Sequence, residues 1–260
     1  MSRLRAAFDK AAAENRAALV AYLTFGDPDP IASIEIVEAA CRAGADVIEL
    51  GVPFSDPSAD GPSIQRAMER ALEAGGGLPG ALDGVAALRE REIETPIVIF
   101  GYYNPIFVMG PEAFAERAAA AGVDAALTVD LPSEELAELA TPLAARDIAV
   151  IPLVAPTSTR DRIDRLARFA PPFVYYISLV GVTGAAAARG PIDPARLAQI
   201  RRAASAPVAV GFGIRTAADA HSFAMVADGV VVGSALVDRV AGGAQAVGAF
   251  VGELRAAMQR

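Results

Sequence analysis

Tryptophan is absent from this sequence of 260 residues, and cysteine, histidine and lysine each occur once. With Cys41 alone no internal disulfide can form, which points to a reducing, cytoplasmic setting. A lone His221 cannot build a His-rich metal site. A Ser-His-Asp triad would have to use His221, and a Schiff-base aldolase would have to use Lys10. A net charge of -8 lacks the basic stripe that a nucleic-acid surface needs. The longest uncharged stretch, Phe169 to Ala188, is interrupted by Pro171, Pro172, Gly181 and Gly184, so it reads as a strand and a loop and not as a membrane span. The opening MSRLRAAFDKAAAENRAALV carries charges of both signs and reads as an amphipathic helix, not a secretory signal. What is abundant is apolar side chain: 53% hydrophobic residues supply a deep core and exclude intrinsic disorder.

That apolar material is distributed in eight short runs. They are expected to be strands at Ala18–Thr24, Val47–Gly51, Ile97–Tyr102, Ala125–Val129, Ile148–Val154, Phe173–Leu179, Val208–Gly211 and Gly229–Gly233. Each is nearly continuous and not alternating, as strands buried on both faces of a parallel sheet are. Helical spacing lies between them, at Ile31–Ala43, Ser63–Glu73, Pro111–Ala121, Ser133–Ala145, Arg160–Phe169, Pro194–Ala203 and Ala217–Val226. Eightfold alternation over this length predicts an α/β fold: one (β/α)8 TIM barrel over residues 1–260, with an extra N-terminal helix. A doubly wound sheet is the competing architecture. Gly211-Phe212-Gly213 is followed by Thr216 where a dinucleotide fingerprint places a third glycine, which weakens that alternative.

Barrel active sites form at the C-terminal ends of the strands, so the polar residues there become the candidates. Glu49 lies inside an apolar run at the end of strand two, where a carboxylate is costly unless paired or useful; burial would raise its pKa toward general acid-base work. The plainer alternative is a carboxylate satisfied by backbone amides or an arginine. For Asp60, ahead of Gly61-Pro62, a cap on the next helix is the stronger reading from the residues alone, and Asp56 and Asp130 could be turn formers. Gly211, Gly213 and Gly233 with Ser234 fall in the loops after strands seven and eight, where barrels hold phosphate on backbone amides; tight turns are the alternative. Cys41 reads as a small core residue and His221 as a surface or helix-packing one. The apolar stretch from Tyr102 to Met109 reads as a loop, either folded over the barrel or presented to a partner protein.

The run Glu49-Leu50-Gly51-Val52-Pro53-Phe54-Ser55-Asp56-Pro57-Ser58-Ala59-Asp60-Gly61-Pro62 resembles the signature of the tryptophan synthase alpha subunit family. The likeness continues in order through Thr24-Phe25-Gly26-Asp27-Pro28, Tyr102-Tyr103-Asn104-Pro105-Ile106, Asp130-Leu131-Pro132, Ala155-Pro156-Thr157-Ser158-Thr159, Gly181-Val182-Thr183-Gly184, Gly211-Phe212-Gly213-Ile214 and Val232-Gly233-Ser234-Ala235. The resemblance implies cleavage of indole-3-glycerol phosphate to indole and glyceraldehyde 3-phosphate in tryptophan biosynthesis. It implies Glu49 as the acid-base group at the glycerol 3'-hydroxyl and indole C3, and Asp60 as the partner of the indole N1–H. It places the indole among Tyr22, Phe100, Leu127, Val129, Tyr175, Phe212 and Val231, and the phosphate on amides around Gly184, Gly213, Gly233 and Ser234. Thr183 would belong to the loop that closes over the substrate and positions Asp60.

The resemblance further implies an α2β2 tetramer with a beta subunit that carries the pyridoxal phosphate, this chain needing no cofactor of its own. Asp56, Pro57, Tyr103, Asn104 and Phe107 fall where that contact is expected. Two departures stand out. The family commonly has Phe where Tyr22 stands, so a hydroxyl is expected at the pocket rim, in reach of water. Val180 and the four alanines Ala185–Ala188 change the loop around Gly184. A standalone lyase and a non-catalytic activator of the beta subunit are the alternatives; the second has no need of Glu49 and Asp60.

Overall fold

The computed structural model describes residues 2–177, 192–211 and 213–260. Its strands are β1 (Ala18–Thr24), β2 (Val47–Gly51), β3 (Ile97–Gly101), β4 (Ala125–Thr128), β5 (Ala149–Val150), β6 (Leu153–Val154), β7 (Val174–Ile177), β8 (Val208–Gly211) and β9 (Gly229–Val232). All pair in parallel, in the order β5-β4-β3-β2-β1-β9-β8-β7-β6. The two ends of that sheet, β5 and β6, are consecutive pieces of one track. The expected fifth strand, Ile148–Val154, is therefore split: Ile151 N–H still donates to Ala126 O at 2.9 Å, while Pro152, which has no N–H, accepts from Tyr175 at 3.0 Å. Each half serves one neighbour, the sheet has no free edge, and the barrel closes with eight staves.

Strand periodicity sorts the apolar residues into two bodies. Leu19, Ala21, Leu23, Ile48, Leu50, Ile97, Ile99, Val208, Val210, Val230 and Val232 face outward and join the large core under the helices. Ala18, Val20, Val47, Val98, Ala125, Leu127, Ile151, Phe173, Ala209 and Val231 face inward and fill the barrel. The opening amphipathic segment, α1 (Arg3–Ala13), inserts Leu4, Phe8 and Ala11 into this inner body. The Phe8 ring stacks on Phe173 with centroids 5.0 Å apart, and a Cβ on Gly229 would lie 2.9 Å from it. Thus α1 plugs the N-terminal end of the barrel and leaves the opposite mouth for chemistry.

That lower end is tied by a device that repeats three times. Asp46, Asp124 and Asp228, each just before or at the entry to a strand, accept at 2.8 Å from the first ladder N–H groups of the adjacent strand, Leu19, Ile97 and Val208. Each carboxylate also takes an arginine: Arg16 at 2.6 and 2.7 Å, Arg89 at 2.8 Å and Arg201 at 2.7 Å. The chain's preference for arginine acquires a structural meaning here, since a guanidinium can serve a carboxylate and neighbouring carbonyls at once. Arg89 does so with Gly122 O, Thr95 O and Ile93 O.

Among the outer helices, α2 (Pro30–Arg42), α3 (Pro62–Glu73), α6 (Pro111–Ala121), α7 (Ala137–Ala144), α8 (Arg160–Ala167), α9 (Pro194–Ala204) and α10 (Ala217–Ala224) follow the expected segments. Residues 133–136 form turns instead of the first helical turn expected from Ser133. Further helices are α4 (Leu78–Glu90), α11 (Ser234–Val237) and α12 (Gly243–Ala257). The stretch read as an apolar loop is helical, α5 (Tyr103–Met109). Pro105 sits in its first turn, where a missing N–H costs no internal bond, and Gly110, at φ +90°, ends it. No helix among the described residues is long and apolar enough to cross a membrane.

Candidate active site

The inward parity that fills the barrel also aims the site. On β2 the inward positions are Val47, Glu49 and Gly51, so the apolar filling of the lower layer gives way to a carboxylate one step higher. Glu49 is registered beside Tyr22 of β1 and Val98 of β3, and is wholly buried. Neither Oε1 nor Oε2 has a hydrogen-bond partner among the described residues. Desolvation alone pushes its pKa up to about 8. Among the described residues, then, no amide or arginine satisfies this carboxylate. A buried carboxyl raised in this way is a candidate for general acid-base work.

Asp60 is also buried, at the end of the loop joining β2 to α3. It does not cap that helix: Gly61 is the N-cap residue and no side chain caps it. The Asp60 carboxylate instead accepts from the Tyr102 hydroxyl at 2.7 Å. Burial raises its pKa to about 6, with the Tyr102 bond acting in the opposite direction. Gln65 of α3 braces the loop from below, donating to Asp60 O at 2.9 Å. Tyr22 and Tyr175 report that the two acids share one space. Burial raises both phenols well above their ordinary value, and Glu49 and Asp60 each add to the effect on both.

The wall around the acids is apolar. Leu127 and Val231 belong to the inner body, with Phe100, Val129, Leu153 and Tyr175 packed on it and partly exposed at the mouth. Phe100 meets Tyr22 edge to face, with centroids 5.2 Å apart and planes at 79°. The structure thus brings together Glu49, Asp60, Tyr22, Phe100, Leu127, Val129, Tyr175 and Val231. The Tyr22 hydroxyl is not at a wet rim: the residue is 3% exposed and its oxygen lies 3.4 Å from Thr24 Oγ1. Leu153 and Tyr102 were missed by sequence reasoning, the first because strand five's kink obscured its parity. Tyr102 was hidden because it lies just past its strand's last residue, Gly101.

Two glycines make room for the phenols. A Cβ on Gly51 would stand 2.3 Å from Tyr22 Oη, and one on Gly211 would stand 2.1 Å from Tyr175 Oη. Gly51→Ala is expected to push the Tyr22 ring across the mouth, costing about 1–3 kcal/mol of stability and raising KM for a ring-bearing substrate roughly tenfold. Urea melts and steady-state kinetics would check this; an unchanged KM would show that the ring has another place to go.

Gly233 heads α11, whose first residue is Ser234, and Gly213 has φ +66° in the turn after β8. The expected contributions of Thr183, Gly184 and Phe212, and the departures at Val180 and Ala185–Ala188, lie outside the described residues, as do the last two positions of the expected sixth strand. Of the expected contact residues, Asp56, Asn104 and Phe107 are exposed and Pro57 and Tyr103 are half-buried. Phe107 is 63% exposed and Val108 beside it 77%. Cys41 packs against the outer core, and burial pushes its thiol up to about 11. His221 is a surface residue whose Nδ1 lies 3.1 Å from Ala257 O.

A sequence model described as "Tryptophan synthase alpha chain" matches residues 8–259. A tryptophan synthase alpha chain of Thioalkalivibrio sulfidiphilus is 48% identical over 265 residues, covering 99% of this chain and 100% of that one. One from Xanthomonas axonopodis pv. citri is 49% identical over 242 residues, covering 93% and 90%. Among solved structures, a chain of Mycobacterium tuberculosis tryptophan synthase superposes with a TM-score of 0.91 at 39% identity, covering 100% of this chain and 99% of that chain. The alpha chain from Legionella pneumophila gives 0.90 at 36%, covering 99% and 97%. The closed barrel, the two buried acids at its mouth and matches along almost the whole length agree: this chain belongs to the tryptophan synthase alpha chain family.

Proposed function

We propose that the chain is the alpha subunit of a tryptophan synthase, a carbon-carbon lyase that cleaves indole-3-glycerol phosphate to indole and glyceraldehyde 3-phosphate. The observation that carries the reading is Glu49: wholly buried, without a hydrogen-bond partner among the described residues, and held near pKa 8 close to Asp60. A group titrating close to working pH gives and takes a proton with comparable ease. Glu49 delivers a proton to indole C3, which turns the ring into a leaving group, and takes the proton of the 3'-hydroxyl as the carbon-carbon bond breaks. Asp60 accepts the indole N1–H and stabilises the positive charge that builds on the ring.

Tyr22, Phe100, Leu127, Val129, Tyr175, Phe212 and Val231 form the walls for the flat ring. Amides around Gly184, Gly211, Gly213, Gly233 and Ser234 hold the phosphate, which an acidic protein binds more readily through backbone N–H groups than through a cationic surface. Thr183 closes over the substrate. The exposed Phe107 and Val108 on α5 favour a subunit over a standalone lyase, since a free enzyme gains nothing from an apolar helix in water. With Asp56, Pro57, Tyr103 and Asn104 they face a beta subunit in an α2β2 assembly, and that subunit carries the pyridoxal phosphate. The setting is the cytoplasm.

The test is release of glyceraldehyde 3-phosphate from indole-3-glycerol phosphate by the purified chain, alone and with a cognate beta subunit. Slow turnover alone and a large gain with the partner are expected. High activity alone would support the standalone lyase, and no turnover in either state would overturn the reading.

A further inference from the structure

We propose that Tyr102 is the positioning residue of Asp60: its hydroxyl, caught between the Ala59 N–H and the Asp60 carboxylate, holds that carboxylate oriented and ionised for a substrate N–H. The inference rests on the role given to Asp60 above.

The hydrogen-bond geometry sets the direction of the proton. Ala59 N–H donates to Tyr102 Oη at 2.9 Å, so the phenol is already an acceptor there, and its own proton goes to Asp60 Oδ2 at 2.7 Å. An N–H feeding an O–H that feeds a carboxylate polarises each bond in the same sense and strengthens the last, charge-assisted one. Among the described residues no other group hydrogen-bonds the Asp60 carboxylate, which leaves Oδ1 for a donor from the substrate.

The phenol is itself held rigidly. Tyr102 is 4% exposed, and Phe54, from the loop that carries Asp60, stacks on its ring with centroids 5.0 Å apart and planes at 29°. Tyr102 is the N-cap residue of α5, and the next N–H, that of Tyr103, donates to Asp130 Oδ1 at 2.8 Å. One side chain thus joins the loops after β2 and β3, and its backbone is moored to the loop after β4.

The electrostatics agree with the geometry. Groups facing this spot are Glu49 from β2, Tyr22 from β1, Tyr175 from β7 and Asp130 beyond β4. None is a cation. Burial drives Asp60 toward its neutral form, and among the described residues the Tyr102 bond is the influence that opposes it. Without that bond the acid would hold its proton further up the pH scale, and a neutral carboxyl is a poor partner for an N–H on a ring gaining positive charge.

The experiment is Tyr102→Phe in the full chain with its beta partner, reading kcat and KM for indole-3-glycerol phosphate across the pH range. Near neutral pH the variant is expected to lose about tenfold or more in kcat with little change in KM, and the loss should shrink as pH rises. On the acid side Glu49 already carries the proton it delivers, so kcat/KM falls in proportion to proton concentration as Asp60 is neutralised. That acid limb is expected near pH 6 in the natural chain and about one unit higher in the variant. Adding Tyr102→Phe to Asp60→Asn should cost nothing further, because the phenol acts through Asp60.

An unshifted pH profile, or additive losses in the double variant, would overturn the proposal. A second readout is independent of turnover: the Asp60 carboxyl carbon, followed by NMR, should titrate at higher pH in the folded Tyr102→Phe protein than in the natural chain. An unchanged titration would also overturn it. Were the natural chain inactive on this substrate, the proposed function would fall while the NMR titration would still decide the hold of Tyr102 on Asp60.

Discussion

Exchange of Glu49 for Gln is expected to cut cleavage by roughly a hundredfold or more, a rise of about 3 kcal/mol or more in the barrier, with most substrate binding retained. The amide preserves shape and can neither take nor deliver a proton. The same exchange should stabilise the fold, and the sign follows from the pKa. Burial raises Glu49 from its ordinary 4.5 to about 8. Between those values the folded chain holds a proton that the unfolded chain has released, so the stability present below the lower value is lost as pH rises to the higher one. Gln has no such term. The variant should therefore be nearly as stable as the natural chain near pH 5 and more stable by on the order of 3 kcal/mol near pH 8. Urea unfolding at both pH values would measure it. A stability difference independent of pH would show that Glu49 has a partner in solution.

The second large effect lies at the far end of the barrel. The Arg16 side chain is fully buried and bidentate on Asp46, with Glu14 at 2.7 Å. Asp46→Ala would leave that guanidinium with Glu14 as its remaining carboxylate and the Leu19 N–H without its acceptor. Breaking a buried pair from one side costs about 3–5 kcal/mol, because the two terminal nitrogens lose their carboxylate without gaining water and Glu14 reaches only Nε. The urea midpoint should fall accordingly, with the slope unchanged. Asp9→Ala is the control: its 3.5 Å contact with Arg5 is exposed, and its loss should cost under about 1 kcal/mol. Equal effects from the two would show that water reaches Arg16.

Much of this molecule was legible in its amino-acid order. The eight apolar runs identified the staves, and VIELG put Glu49 inside one of them, at the end where barrel sites form. A carboxylate in such a run is either matched or used, and the residues alone left those two readings about even. The long second-loop signature then specified the chemistry. Where reading failed, local pattern was ambiguous. Tyr103–Met109 has no polar face and contains Pro105, so nothing distinguished a short helix from a loop. Pro152 divided a run that looked continuous. The hydroxyl of Tyr22, expected in water, turned into the mouth beneath Phe100 and beside Gly51.

Sequence by itself determined the barrel, the places of its staves and, through the second-loop motif, the family resemblance. The first two follow from periodicities of a few residues and from composition, the third from a contiguous motif, and all are local. Tertiary structure alone decided the state of the acids. Asp60 could cap a helix or face the mouth, and the choice was made by Tyr102, 42 positions away in the chain. Arg16 finds Asp46, and Arg89 finds Asp124, across comparable separations. Whether a charge is paired, and how far its pKa moves, depends on what the fold brings within about 3 Å and on how much water it expels. Neither quantity is encoded in any window of neighbouring residues.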